Sequence, residues 1–193
     1  MKIIGIVGSS RKFGNTDILV RTILEAAAAQ GAETRLFHLR ALTVNACLGC
    51  EFCRANDGCA QSDDMQYLYP AIENADVVVV GSPVYMGQMS GQTKIFMDRL
   101  FALLNNNFSS RLTAGKQAVL VFAQAQPDEE QYARYFQDTA RMFEIVGLPV
   151  SKMLVAANVL EQGAVADDTA LLAKAAEIGR QMVEDLSKST GIN

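Results

Sequence analysis

Residues 2–17 read Lys2-Ile3-Ile4-Gly5-Ile6-Val7-Gly8-Ser9-Ser10-Arg11-Lys12-Phe13-Gly14-Asn15-Thr16-Asp17. An apolar run closes on Gly8, a hydroxyl-rich turn follows, and a helix signal begins at Asn15. Lys2–Gly8 has the form of a buried strand, apolar without alternation. Asn15 or Thr16 as cap, Asp17 in the first turn and Gly31 as terminator predict a helix over Asn15–Gln30. A strand feeding a helix through a short turn is the first half of a crossover unit.

The same alternation continues outward from that stretch. Thr34–Leu39 reads as a second strand, followed by an irregular segment over Ala41–Gln61. Ser62–Asp64 caps a helix to Asn74, and Asp76–Gly81 is a strand built on four consecutive valines. A long loop through Gly91 leads to a helix with Ile95, Phe96, Leu100, Leu103 and Leu104 on one face. Gln117–Ala123 is a fourth strand. Pro127, followed by Asp128, Glu129 and Glu130, opens a helix that Gly147 ends. Val150–Ala156 is a fifth strand and Asp167–Leu186 a last amphipathic helix, with Lys188–Asn193 expected to fray. Strands separated by helices require crossovers, hence a parallel sheet covered on both faces. Five strands rather than six favour the flavodoxin-like order 2-1-3-4-5, with ligand beyond the carboxyl ends of the first and third strands.

The chain of 193 residues is 50% hydrophobic and 20% charged, which fits one globular domain over 1–193. A formal net charge of −4 gives no electrostatic reason to expect nucleic acid or an anionic membrane as partner. No apolar run approaches a membrane-helix length, and Met-Lys-Ile-Ile-Gly lacks signal-peptide anatomy, so a cytoplasmic location is expected.

Two segments carry chemistry. In the turn after the first strand, backbone amides, the hydroxyls of Ser9, Ser10 and Thr16 and a helix N-terminus converge where an anion would sit. Five residues separate Gly8 from Gly14, and Asn15 stands where a Walker loop has lysine, so a triphosphate loop is excluded. Gly5-x2-Gly8 is not the dinucleotide fingerprint either. One guanidinium, Arg11, with hydroxyls suits a terminal monophosphate.

The second segment is Cys47-x2-Cys50-x2-Cys53-x5-Cys59, which holds all four cysteines of the chain. In a reducing compartment such crowding points to metal binding or redox chemistry rather than disulfides. The spacing lets Cys47, Cys50 and Cys53 grip three irons of a cubane and leaves Cys59 for the fourth. Gly49 and Gly58 permit the positive torsions tight wrapping needs. The run departs from the bacterial ferredoxin pattern, which has three residues before the last cysteine and a proline after it. Zinc with four cysteines usually uses two separated Cys-x2-Cys knuckles. Uncoordinated or redox-active thiols stay open. His38, the single histidine, reads as structural, and no hydrolytic set is present.

The loop Gly8-Ser9-Ser10-Arg11-Lys12-Phe13-Gly14-Asn15-Thr16 resembles the phosphate loop of the NADPH-dependent FMN reductase family. Gly81-Ser82-Pro83-Val84-Tyr85-Met86-Gly87-Gln88-Met89-Ser90-Gly91-Gln92-Thr93-Lys94 resembles its isoalloxazine loop. With the cysteine motif between them, the chain is similar to the iron–sulfur flavoprotein branch. The resemblance implies FMN, with Ser9, Arg11, Asn15 and Thr16 on the phosphate. Pro83, Val84, Tyr85 and Met86 would line the ring, and Ser82 and Gly87 would shape the turn. The blander alternative is that Tyr85, Met86 and Met89 simply form core or a subunit contact. Where the family often has a glycine-rich loop, this chain has Ala123-Gln124-Ala125-Gln126-Pro127, making Gln124 and Gln126 candidate contacts.

The resemblance further implies a 4Fe–4S cluster on Cys47, Cys50, Cys53 and Cys59. It implies a homodimer or homotetramer, a ferredoxin-type donor, and oxygen, peroxide or a quinone as acceptor. No side chain stands out as a catalytic acid or base, as expected where cofactors carry the chemistry. Two alternatives stay open. One is an NAD(P)H-dependent FMN or quinone reductase without a cluster, although nothing in the chain marks a nicotinamide site. The other is a non-enzymatic flavin- or redox-sensing module with structural zinc. Lys94 and the Asp98–Arg99 pair are assigned to helix ends or an interface.

Overall fold

The computed structural model describes residues 1–190. Five parallel strands run in the order β2-β1-β3-β5-β6: β1 (Lys2–Val7), β2 (Glu33–His38), β3 (Val77–Tyr85), β5 (Gln117–Ala123) and β6 (Val150–Ala156). Among these five the sequential order is 2-1-3-4-5, as the sequence predicts. A sixth strand, β4 (Gln88–Met89), pairs antiparallel with the end of β3. Two residues offer no period to read, so sequence could not show it. It exists because β3 outruns its expected end at Gly81: Ser82 and Pro83 still pair with β5, and Val84 and Tyr85 fold back on β4.

Alternation along the strands divides the interior in two. Ile3, Val77, Val79, Val119 and Val121 pack with Leu19, Ile23 and Met182 beneath helices α1 (Asn15–Ala29) and α6 (Thr169–Thr190). Ile4, Ile6, Val78, Val80 and Leu120 pack with Leu68, Ile72, Phe96, Phe136 and Phe143 on the other face. Those residues belong to α3 (Met65–Asn74), α4 (Gly91–Arg99) and α5 (Ala133–Val146). A one-turn helix, α2 (Phe52–Ala55), lies inside the cysteine segment, and a 3-10 turn over Leu100–Leu103 extends α4. Burying both faces is what makes the strands read as unbroken apolar runs.

Three expectations shift. The helix expected from Pro127 starts at Ala133, because Pro127–Tyr132 forms turns in which Asp128 takes the Glu130 N–H on its carboxylate. Neither Asn15 nor Thr16 caps α1; Gly14 precedes it with no side-chain cap, and Asn15 is its first helical residue. The fraying expected over 188–193 does not hold to Thr190, where α6 ends, and its remainder, 191–193, lies outside the described residues. No described helix is long and apolar enough to cross a membrane.

Candidate functional site

The carboxyl ends of β1 and β3 are locked together before any ligand is considered. The Gly8 N–H donates to the Gly81 carbonyl at 2.8 Å, and the Ser90 hydroxyl donates to the Gly8 carbonyl at 2.6 Å. Ser90 also caps α4 through the Thr93 N–H, while Thr93 Oγ1 and the Ser90 N–H both donate to Ser82 Oγ at 3.0 Å. Three buried hydroxyls thus join the start of the first loop to the loop after β3. A Cβ on Gly8 would overlap the Thr93 hydroxyl, so only glycine fits there.

Beyond these strand ends lies a cleft of about 110 Å³ lined by Ser9, Arg11, Asn15 and Thr16 on one side and Pro83, Val84 and Tyr85 on the other. Ala123, Ala125, Val159 and Leu160 complete it. The first intrahelical bond of α1 runs from Ile18 N to Gly14 O. The N–H groups of Asn15, Thr16 and Asp17 therefore precede the helical ladder and carry its positive end. Hydroxyls, one guanidinium and free helical N–H groups form a donor set for a terminal phosphate. The cleft is far smaller than the ~300–1,000 Å³ typical of pockets for drug-sized ligands. A flavin ring would project past its mouth, where the lining residues Tyr85 and Leu160 are exposed.

Asp17, buried in the first turn, holds this loop from below. Its carboxylate accepts from Phe13 N at 3.2 Å, Arg21 Nε at 2.9 Å and meets His38 Nε2 at 3.0 Å. His38 is therefore structural, as expected. Asn15 works sideways: its Nδ2 donates to Val159 O and Glu161 O at 3.0 and 2.8 Å, and its Oδ1 accepts from Val165 N at 3.3 Å. Arg11 Nη1 donates to Leu160 O at 3.0 Å. The loop after β6 is thus strapped to the Gly8–Thr16 loop, a contact about 145 residues away in sequence that local pattern cannot reveal. Asn15→Ala should strand those carbonyls, loosen the strap and weaken FMN binding at least tenfold, ~1.4 kcal/mol, in a flavin fluorescence titration.

Ser10 and Met86 lie off the lining of the cleft. Ser82 is buried in the hydroxyl network and Gly87 stands in the turn, the two places expected to shape that segment. Met86 and Gly87 form a two-residue hairpin turn with φ of 51° and 80°, which leaves the Met86 side chain fully exposed. Met89 is core. Gln124 turns inward, its amide donating to Asp128 O at 2.6 Å, and Ala123 and Ala125 line the cleft in its place.

The cysteine segment occupies the far end of α4. Cys47, Cys50, Cys53 and Cys59 line one cavity of about 360 Å³ together with Phe52, Asp98 and Phe101. Gly49, Glu51 and Gly58 have φ of 61°, 57° and 81°, so the wrapping uses one non-glycine position besides the two expected glycines. Among the described residues, no three Cys, His, Asp or Glu side chains close on a single ion. Four sulfurs around one zinc at ~2.3 Å would lie within ~4 Å of each other. The four cysteines share the lining of one cavity of about 360 Å³, which has room for a multinuclear core. Burial foremost, with Cys59, Cys47 and Cys50 adding repulsion, pushes the Cys53 thiol above its usual range. A cationic centre reverses that bias by holding its ligands as thiolates.

This loop is held by two arginines from outside it. Arg111 Nη2 donates to Cys53 O at 2.7 Å and its Nη1 to Asn56 O at 3.1 Å. Arg99 is fully buried and forms a fork with Asp63, at 2.5 and 3.0 Å. Of the residues assigned to helix ends or an interface, Arg99 does stand in the last turn of α4 but turns inward to Asp63, while Asp98 pairs with Lys94 at 2.5 Å on the exposed face of the helix. Asp63, expected as a helix cap, does accept from Met65 N at 3.1 Å, but it also accepts from Asn45 N at 2.9 Å and from Arg99. A charged residue on the stripe of Phe96, Leu100 and Leu103 was the available signal.

The profile of the NADPH-dependent FMN reductase family matches residues 1–160. The chain belongs to that family. Within the family it is similar to proteins named iron–sulfur flavoprotein. One from Methanocaldococcus jannaschii is 43% identical over 99 residues, 51% of each chain. One from Methanosarcina thermophila is 37% identical over 115 residues, 60% of each. The chain thus spans about half the length of the curated relatives it matches. Among solved structures, a flavone reductase superposes with a TM-score of 0.76 at 19% identity, covering 100% of this chain and 65% of that one. An NAD(P)H:quinone oxidoreductase from Methanothermobacter marburgensis gives 0.72 at 13%, covering 94% and 96%. At such identities these two structures bear on the fold alone.

Proposed function

We propose that this chain is a flavin-dependent electron-transfer oxidoreductase that seats FMN in the β1/β3 cleft and a 4Fe–4S cluster in the cysteine loop. The observation that carries the reading is the single cavity shared by Cys47, Cys50, Cys53 and Cys59, at the opposite end of α4 from the cleft beyond β1 and β3. Ser9, Thr16, Arg11 and the first N–H groups of α1 would hold the phosphate. Pro83, Val84 and Tyr85 would line one side of the ring. Cys47, Cys50, Cys53 and Cys59 would hold the cluster.

When bound, FMN supplies interconversion of one- and two-electron chemistry, and the cluster supplies single-electron exchange. The protein binds and orients these groups and excludes water from their polar anchors. Asp17 keeps the phosphate loop in shape, and the strap from Val159 to Val165 closes over it. A one-electron donor of ferredoxin type and a two-electron acceptor such as oxygen, peroxide or a quinone fit that pairing, as does NAD(P)H on the family's name. The exposed apolar rim of Phe13, Tyr85, Met86 and Leu160 would be covered in a homodimer or homotetramer.

Protein purified without oxygen should show flavin bands over a broad brown shoulder that bleaches on reduction, with about four irons per chain. Flavin without iron, with rapid NADPH oxidation, would replace this reading with a cluster-free reductase. Zinc with negligible turnover would leave a sensing module.

A further inference from the structure

Arg99 places a guanidinium among the buried residues of α4, beside Phe96 and Leu100. Its side chain is 1% exposed, as is that of Asp63. Burying an ion pair costs several kcal/mol of hydration per ion and is not by itself a gain in stability. The fork on Asp63 uses Nη1 and Nη2, and Nη1 also donates to the Asn45 carbonyl at 2.8 Å. Nη2 has a second direction, and it points at Cys59 Sγ, 3.5 Å away. The Tyr69 hydroxyl donates to the Arg99 carbonyl at 2.9 Å and fixes the backbone behind it. Asp63 therefore aims the guanidinium at a sulfur, and no other cysteine of the motif receives an arginine N–H on its sulfur among the described residues.

We propose that Arg99 is a positioning residue for the iron–sulfur centre, holding Cys59 through a charge-assisted N–H···S hydrogen bond that raises the centre's reduction potential. This rests on the cluster reading above. Hydrogen bonds to ligand sulfurs withdraw charge from the centre and favour its more negative, reduced form. Cys59 lies outside any helix or strand, so its position depends on contacts from elsewhere in the fold. Cys53 sits in α2, whereas Cys59 follows an irregular turn six residues later. Arg99 ends the helix that Ser90 caps beside the phosphate loop, so one rigid element spans both sites. Arg111 provides the internal contrast: it touches the same loop through the carbonyls of Cys53 and Asn56 and reaches no sulfur.

The test is an anaerobic redox titration of reconstituted protein, followed by electron paramagnetic resonance, with iron and sulfide counted first. Arg99→Lys keeps the buried cation for Asp63 but loses the planar fork that also serves Cys59. It should hold the wild-type iron content yet destabilise the reduced cluster about tenfold, a negative shift of ~59 mV for a one-electron couple. Arg111→Lys should titrate with the wild type. If Arg99→Lys does not fold or retain iron, the double substitution Arg99→Leu with Asp63→Leu, which removes both charges, is titrated in its place and should shift the same way. A wild-type potential in the iron-loaded variant overturns the inference while leaving the cluster reading intact. Wild-type protein that takes up no iron overturns the cluster reading itself, before any variant is compared.

Discussion

Cys50→Ala should abolish the iron content of protein reconstituted without oxygen and leave its FMN in place. The loss should be nearly complete because all four cysteines of the chain lie in this motif and no spare thiol lines the cavity to replace one. The fold should survive. Cys50 is exposed, and none of the bonds that anchor the loop, from Asp63, Asp64, Gln61, Gln66, Arg99 and Arg111, ends on it. The flavin should survive too. Cys50 faces the cavity by Asp98 and Phe101, whereas Pro83–Tyr85 precede the first turn of α4. That nine-residue helix alone spans ~13 Å. Iron analysis and the flavin absorbance of the same sample decide it. An unchanged iron count removes Cys50 from the ligand set.

Much of this architecture could be read locally because burial on both faces writes itself into composition. Val77–Val80 needs no partner to be recognised as a central strand, and the expected bounds of β5 and β6 match the observed Gln117–Ala123 and Val150–Ala156. The cleft side was legible for the same reason: a strand, a hydroxyl turn and a helix start are contiguous, and Ser9, Arg11, Asn15 and Thr16 do share one cleft. Failures cluster where a polar side chain chose between ligand and backbone. Gln124 looks like a contact in sequence, but it is buried and bonded to the Asp128 main chain, and Ser82, read as shaping the turn, is buried in the Ser90–Thr93 hydroxyl network. Composition cannot rank those options; only the packed geometry does. The long-range partners were out of reach altogether, since Arg99 meets Asp63 across 36 positions and Asn15 meets Val159 across 144.

Asp63→Ala should destabilise the protein by about 3–5 kcal/mol, because it leaves the Arg99 guanidinium buried without its counter-charge. The Asn45 and Met65 N–H groups lose their acceptor in the same step. The denaturant midpoint should fall accordingly, read by far-ultraviolet circular dichroism on protein without metal. Asp98→Ala is the matched contrast: its pair with Lys94 is equally short, but both side chains are about half exposed, so the loss should stay below ~1 kcal/mol. Acid dependence gives a second reading. Burial pushes the Asp63 carboxyl up, but hydrogen bonds from Arg99 and Asn45 outweigh it and hold the carboxyl below the ordinary 3.8. A depressed folded value means the contribution is complete above that ordinary value and is lost as pH falls through the folded one. The wild type should therefore lose stability below about pH 4, and the variant should lose less over the same interval. A variant that matches the wild type at neutral pH would mean that the buried fork contributes nothing to the fold, leaving its aim at Cys59 as the sole reason for a charge at that depth.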